Sequence, residues 1–402
     1  MNFARLNTVF ENVVGISAPA AQLVVRHRGK EAFSTALGWL DPETRAHPTR
    51  PDTLFDLASV TKLFVVTAFM TLVEEDRVAL DTPVSAILPE FCGLRSIQPY
   101  EDPLSPGRYV TVQTPSTDLT NVTEMTSVKS VQSVETVDAG RVTFRHLLTH
   151  AAGLPAWRPL YRQPDADSAR QMALDTFFSY PIGAQVVYSD LGLILLGMAV
   201  ERLTGHSLDI AVRTCVTAPL ELRHTRYLPV PSVESAQSVE NIAPTEFCAW
   251  RNRRIVGAVH DENAYHLGGV AGHAGLFSTA EDVAAFGQTF LDRPTGPRRG
   301  FPLLLASTVD AMTRCYTEGL STRRGLGFVL WHPDPEASGN PFSQRAFGHT
   351  GFTGTSLWMD PERDLVVALL TNEVYNGRQN RGIAGLRVAV HRAIVAAIDA
   401  GG

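Results

Sequence analysis

Lysine is almost missing from this chain. Only Lys30, Lys62 and Lys129 occur among 35 basic residues in 402, so a lysine inside a patterned segment asks for a reason. Cysteine is scarce too. Cys92, Cys215, Cys248 and Cys315 stand far apart with no Cys-x-x-Cys pair, which speaks for buried free thiols and against a disulfide framework or a structural zinc site. There is no membrane-length apolar run: the longest, Leu191 to Val200, is closed by Asp190 and Glu201. Nor is there a basic excess. A net charge of −6 and a pI near 6.1 leave no footprint for nucleic acid or an anionic membrane. Met1 to Leu6 lack the apolar centre of a signal peptide, so a cytoplasmic location is expected.

What is present is an ordinary globular composition, 44% hydrophobic and 19% charged. The length exceeds what one core usually organises, so two lobes are expected. The organising stretch is Phe55-Asp56-Leu57-Ala58-Ser59-Val60-Thr61-Lys62, followed by an apolar run from Leu63 to Val73 with helical spacing and no Gly or Pro. Ser59 then stands at a helix start, where free N–H groups and the macrodipole favour negative charge. Lys62, three residues on, shares its face. A serine beside a base at such a terminus suits nucleophilic acyl transfer. A capping serine with a solvated lysine would show the same letters, so partners elsewhere in the chain must decide.

Along the chain, 2–14 reads as a helix, and Gln22 to Arg28 and Glu31 to Leu40 as a hairpin about Gly29-Lys30. Residues 94–141 turn rich in Ser, Thr, Val and Pro and lack core-forming side chains. They read as an insertion removable without unfolding the protein; Asn121-Val122-Thr123 within it matches a glycosylation acceptor, with no secretory signal to use it. Helices are expected at Phe144–His150, Arg170–Phe178, Leu191–Leu203, Leu208–Val216, from Ser278 to Leu291, and at Ile383–Ile398. Strands are expected at Gly327–Trp331, Arg345–Thr350, Gly354–Met359 and Leu365–Thr371. Strands at both chain ends imply one sheet, giving an α/β sheet domain from 1–55 and 275–402. A helical domain, 56–274, carries the serine, and the site falls between the two.

Two further segments bear on the chemistry. Tyr188-Ser189-Asp190 opens the core helix, and its phenol could share proton transfer with Lys62. His349-Thr350-Gly351 ends a strand. There Gly351 leaves room for substrate, and the Phe352 N–H can point at a carbonyl oxygen. His260, Asp261, Glu262, His266 and His273 are metal-type residues, but their spacing fits no common zinc motif, and neither a metal nor a cofactor is expected.

Ser59-x-x-Lys62, Tyr188-Ser189-Asp190 and His349-Thr350-Gly351, in this order, resemble the serine β-lactamase and penicillin-binding-protein superfamily. The likeness is greatest to its class C β-lactamase-like esterases and D,D-peptidase-like hydrolases. Leu147-Leu148-Thr149-His150, Gly153-Leu154-Pro155, His260 to Ala264, Gly272 to Ala280 and Phe347 to Thr355 support it. The resemblance implies an antiparallel sheet flanked by helices with an inserted helical lobe. It also implies a serine hydrolase working through an acyl-enzyme on a small ester, amide or β-lactam. Ser59 would be the nucleophile, Lys62 and Tyr188 would move the proton, and the N–H groups of Ser59 and Phe352 would hold the oxyanion. Asp190, His349, Thr350 and Gly351 would contact substrate. Members of the family are often exported.

Two positions depart from the family pattern. Asp190 replaces the usual Asn, which would hold Lys62 charged and move the base role towards Tyr188. His349 replaces a lysine that would pair with a substrate carboxylate. Histidine, with an unperturbed pKa of about 6.5, is mostly neutral at pH 7, so simple esters are expected to outrun penicillins and cephalosporins. A carboxylesterase is the leading expectation. A D,D-carboxypeptidase-like or β-lactam hydrolase comes next, and a non-catalytic penicillin-recognising protein after it.

Overall fold

The computed structural model describes residues 2–102, 105, 107–110, 135–228, 241–292, 303–379 and 382–401. Leu365-Val366-Val367-Ala368-Leu369-Leu370 has no polar break, and a strand apolar on both faces must be covered on both. It lies inside the main sheet. In chain order the elements used below are α1 (Ala4–Asn12), β1 (Ala20–His27), β2 (Lys30–Gly38), α2 (Thr61–Glu74), α3 (Asp190–Thr204) and α4 (Ala280–Gln288). They continue with β3 (Val329–Leu330), β4 (Phe347–Thr350), β5 (Ser356–Asp360), β6 (Leu365–Thr371) and α5 (Ile383–Asp399). The six strands pair in the order β3-β4-β5-β6-β1-β2, every neighbouring pair antiparallel. Both chain ends thus build one sheet, in register from Ala21 opposite Thr371 to His27 opposite Leu365. The β1–β2 hairpin turns at Arg28-Gly29, one residue earlier than expected. Both have positive φ, 54° and 72°, the mirror-image turn that right-twisted strands favour.

Side-chain alternation sorts the two faces. Leu365, Val367 and Leu369 join Leu6, Phe10 and Ile394 in a core under α1 and α5, while Val366, Ala368 and Leu370 point into the larger core shared with α2, α3 and α4. Gly287 brings α4 onto the sheet so closely that an added Cβ would stand 2.8 Å from the side chains of Leu357 and Val366. α2 has eleven of fourteen residues buried, so it is a central helix rather than a surface one. Phe64 on it stacks on Phe286 of α4 with ring centroids 3.9 Å apart. Among the described residues no helix is long and apolar enough to cross a membrane.

Two further expectations need correction. Leu94–Ser96 pairs with Thr136–Asp138, and Val137 and Ala139 are buried in the larger core. The ends of 94–141 therefore belong to the body, because their few apolar residues are spent on it, and removing the whole stretch would remove core. Residues 111–134, with Asn121-Val122-Thr123, lie outside the described residues. The helix expected at Arg170–Phe178 runs over Ala166–Leu174. It starts early because the Asp165 side chain accepts the Ser168 N–H, and Phe178 instead bridges to Ile97. A helix at Ala306–Thr313 had no counterpart in the sequence reading.

Candidate active site

The serine does not sit on α2 itself. A 3₁₀ turn, Ala58–Val60, leads into the helix, and Ala58 has φ 45°, a left-handed conformation that costs a side-chain-bearing residue free energy and persists only where neighbours hold it. Several do. The buried Asp56 carboxylate accepts the N–H of Ala58 at 2.8 Å and of His260 at 2.7 Å. Thr353 and Thr355 donate their hydroxyls to the carbonyls of Asp56 (2.7 Å) and Leu57 (2.9 Å). Burial pushes the Asp56 carboxyl up, against the pull of those two N–H groups. Asp56 escaped the sequence reading because an acid beside a strand carries no signal of its own.

Lys62 is 1% exposed. Its Nζ lies 2.8 Å from Ser59 Oγ, 3.0 Å from the His273 carbonyl oxygen and 2.8 Å from Asp190 Oδ1. Burial by itself would lower its pKa, but the Asp190 carboxylate and then Tyr188 outweigh it, and the net shift is upward. Lys62 is therefore an ammonium at neutral pH. A buried cation needs such a partner, since desolvation alone would expel the proton.

Tyr188 and Asp190 arrive on the segment that enters α3. His150 holds that segment: its Nδ1 accepts the Ser189 N–H at 3.1 Å and its carbonyl accepts the Val187 N–H at 3.0 Å. Burial, with Arg324 and Lys62 nearby, drives His150 well below its ordinary pKa, which keeps Nδ1 a free acceptor. The Tyr188 hydroxyl is buried without a well-aligned hydrogen bond. Burial raises its pKa, while the adjacent Lys62 and Ser59 pull the other way. The Lys62 ammonium lies 4.9 Å from the centre of the ring.

The opposite wall is the end of β4. His349 is 2% exposed, and its Nδ1–H donates to the Thr350 carbonyl at 2.7 Å. Burial and the charges of Lys62 and Arg324 lower it to about 3, so it is neutral at every physiological pH and presents a lone pair at Nε2. Gly351 answers to the protein more than to substrate: an added Cβ would fall 2.1 Å from Thr355 Oγ1 and 2.5 Å from the Leu57 carbonyl. The turn is closed by Gly351 N–H to Thr355 O (2.8 Å) and Gly354 N–H to Gly351 O (3.0 Å), neither of which uses the Phe352 N–H. Ser59, Tyr188, Asp190, His349, Thr350, Gly351 and Phe352 all line one cleft of about 470 Å³. Lys62 lies buried behind Ser59.

The His260–His273 loop forms another part of the wall. His260 Nε2 meets Glu246 at 2.9 Å, and His273 Nε2 meets Asp261 at 2.9 Å. Burial would raise the Asp261 carboxyl, but His273 and the Ala264 N–H bring it well below the usual carboxylate range. Asp190, Asp261 and His273 place ligand-type atoms within 4.8 Å of one another. In this cluster Lys62 already supplies the cation on Asp190.

The Beta-lactamase family model matches residues 6–391. The chain belongs to the Beta-lactamase family. It is similar to the N-acetylmuramyl-L-alanine amidase of Bacillus subtilis (strain 168), 31% identical over 92% of this chain and 80% of that protein. A Salmonella typhimurium protein provisionally named a D-alanyl-D-alanine carboxypeptidase is 28% identical over 92% and 83% of the two chains. Among solved structures, EstCE1, described as a hydrolase with promiscuous acyltransferase activity, shares the fold with a TM-score of 0.66, 20% identity and 97% of each chain covered. As a member of this β-lactamase-related family the protein is a serine hydrolase.

Proposed function

We propose that the protein is a carboxylesterase working through an acyl-enzyme on Ser59. The observation that carries this is the 2.8 Å contact between Ser59 Oγ and Lys62 Nζ, with the Tyr188 hydroxyl beside both. Lys62 is held as an ammonium by Asp190, so it orients Ser59 and opposes, without cancelling, the burial that raises Tyr188; the proton acceptor is the phenolate form of Tyr188, a minor one at pH 7 that grows as the pH rises. The Ser59 proton passes to Tyr188 as Oγ attacks the ester carbonyl, and the Ser59 and Phe352 N–H groups receive the oxyanion. Collapse breaks the bond to the alcohol, which leaves with the proton from Tyr188. Water then attacks the acyl-serine and gives its proton to Tyr188; the carboxylic acid departs and Ser59 recovers its hydrogen.

The buried, neutral His349 sets the preference, since it offers no charge to a substrate carboxylate and a simple ester carries none. Peptide-type amide or β-lactam hydrolysis is the second reading, favoured by the names of the Bacillus and Salmonella relatives. A fluorophosphonate should label Ser59. A panel of p-nitrophenyl butyrate, a D-aminoacyl amide and a chromogenic cephalosporin should be cleaved in that order of kcat/KM. Faster turnover of the cephalosporin than of the butyrate overturns the esterase reading.

A further inference from the structure

In the proposed mechanism the oxyanion is received by N–H groups of two separate segments. Among the described residues no backbone hydrogen bond joins the turn at Ser59 to the turn at Phe352, and the Leu57 N–H goes instead to the Leu276 carbonyl at 2.9 Å. Two side chains bridge the gap. The Thr353 hydroxyl donates to the Asp56 carbonyl at 2.7 Å, and the Thr355 hydroxyl to the Leu57 carbonyl at 2.9 Å. Neither threonine is more than 1% exposed, so both bonds are made away from water.

Each segment is otherwise anchored to a different part of the molecule. On the serine side, Asp56 takes the Ala58 N–H, and Ala58 opens the turn that runs into α2. On the other side, the Thr353 carbonyl accepts the Glu373 N–H at 2.9 Å, just beyond β6. Gly354 has φ 99°, and an added Cβ there would fall 2.0 Å from Thr371 Oγ1. Arg387, buried on α5, donates Nη2 to the carbonyls of Gly354 at 3.2 Å and Thr355 at 3.4 Å. The turn carrying Phe352 therefore follows the sheet and α5, while Ser59 follows α2. The two threonine hydroxyls are the hydrogen bonds that tie one to the other.

We propose that Thr353 and Thr355 are positioning residues whose hydroxyls set the separation of the Ser59 and Phe352 N–H groups, and so the fit of the hole to an oxyanion. Neither threonine lines the cleft, so neither touches substrate, and each acts through the backbone it holds. Donors in such a hole work because they are in place when charge develops, and removing one costs about 10²–10³-fold in kcat. Losing a threonine hydroxyl leaves the donor present but free to shift, and it leaves a buried carbonyl unpaired. Valine fills the space of threonine without the hydroxyl, whereas serine keeps the hydroxyl without the methyl group. The inference rests on the acyl-enzyme reading at Ser59.

The test compares p-nitrophenyl butyrate with its thionoester, in which sulfur replaces the carbonyl oxygen. Sulfur is larger and a weaker hydrogen-bond acceptor, so a hole held at oxygen size favours the ester. Thr355→Val should lower kcat/KM for the ester by roughly 10- to 100-fold and for the thionoester by less, so the ratio of the two falls. Thr355→Ser should keep both near wild type. Affinity for butaneboronic acid, whose tetrahedral adduct with Ser59 places an oxygen in the hole, should weaken in step with the ester rate. A Thr355→Val enzyme with wild-type ester kinetics or wild-type boronate affinity overturns the proposal. So does one that slows both substrates equally, the result expected if the threonine only supports the fold. Should Thr355→Val not fold, Thr353→Val takes its place with the same readouts; if neither folds, the threonines are structural and the proposal falls. Absence of fluorophosphonate labelling of Ser59 in the wild type instead removes the acyl-enzyme reading, and this inference with it.

Discussion

Arg378 and Arg324 line the same cleft under opposite conditions. Arg378 lies between Glu246 and Glu262, whereas Arg324 has the face of Tyr188 and no carboxylate among the described residues. The histidines divide the same way. His260 and His273 each meet a carboxylate, while His150 and His349 meet backbone groups and nearby cations, and both are driven neutral. One wall balances its own charge and acts as scaffold. The other holds Tyr188, His349 and Arg324 with polar atoms left open. Such an imbalance is tolerable only where binding or catalysis uses it.

The largest effect should come at the junction of the two walls. Ser59→Ala is expected to lower hydrolysis by several orders of magnitude and to abolish fluorophosphonate labelling. The cooperative melt should survive, because Ala58, Asp56 and Thr353 hold the segment without the hydroxyl. Retained turnover would show that the nucleophile lies elsewhere.

Next in size is a change on the open wall. Tyr188→Phe keeps the ring and removes the hydroxyl, so acylation should slow by about 100-fold or more. A near-normal burst of alcohol release would transfer the proton role to Lys62 alone and make the open wall a binding surface only.

A third change separates the ion pair from the rest. Tyr188 has a raised pKa, and its deprotonated form is the reactive one, so kcat/KM should climb with pH above neutrality. Asp190→Asn removes a carboxylate that raises Tyr188 as well as Lys62. The rising limb of the profile should then move to lower pH. An unmoved limb, followed by stopped-flow from pH 6 to 10, would show that Asp190 does not govern the proton inventory.

The smallest effect is expected on the closed wall, and on stability rather than rate. Burial opposes ionisation of Glu246, but His260 and Arg378 bring its pKa below the usual value. Its contribution is therefore fully present above the unfolded-state value of about 4.3 and lost as pH falls through the folded one. Glu246→Gln should cost roughly 1–3 kcal/mol at pH 7, and the deficit against wild type in thermal melts should shrink towards pH 3. A deficit that does not change with pH would mean that packing, not charge, holds this wall.

Local pattern was enough for much of this protein. The apolar run of β6 announced a strand, the spacing after Ser59 announced α2, and three short motifs in order pointed to the superfamily. These signals are legible because periodicity and a few chemically demanding residues act over three to eight positions. The boundaries of the Ala166–Leu174 helix and the packing of Val137 and Ala139 were less legible, since a capping side chain and a few tertiary contacts outweighed composition. Only the folded chain decided the electrostatics. Asp56 has no motif, and Arg324 looks like any other arginine among the basic residues. Its isolation arises because the turn after Thr317, the entry to α3 and the end of β4 meet around it, and the one acid they bring, Asp190, is paired with Lys62. Burial and distance set those charges, and both belong to residues far apart in the sequence.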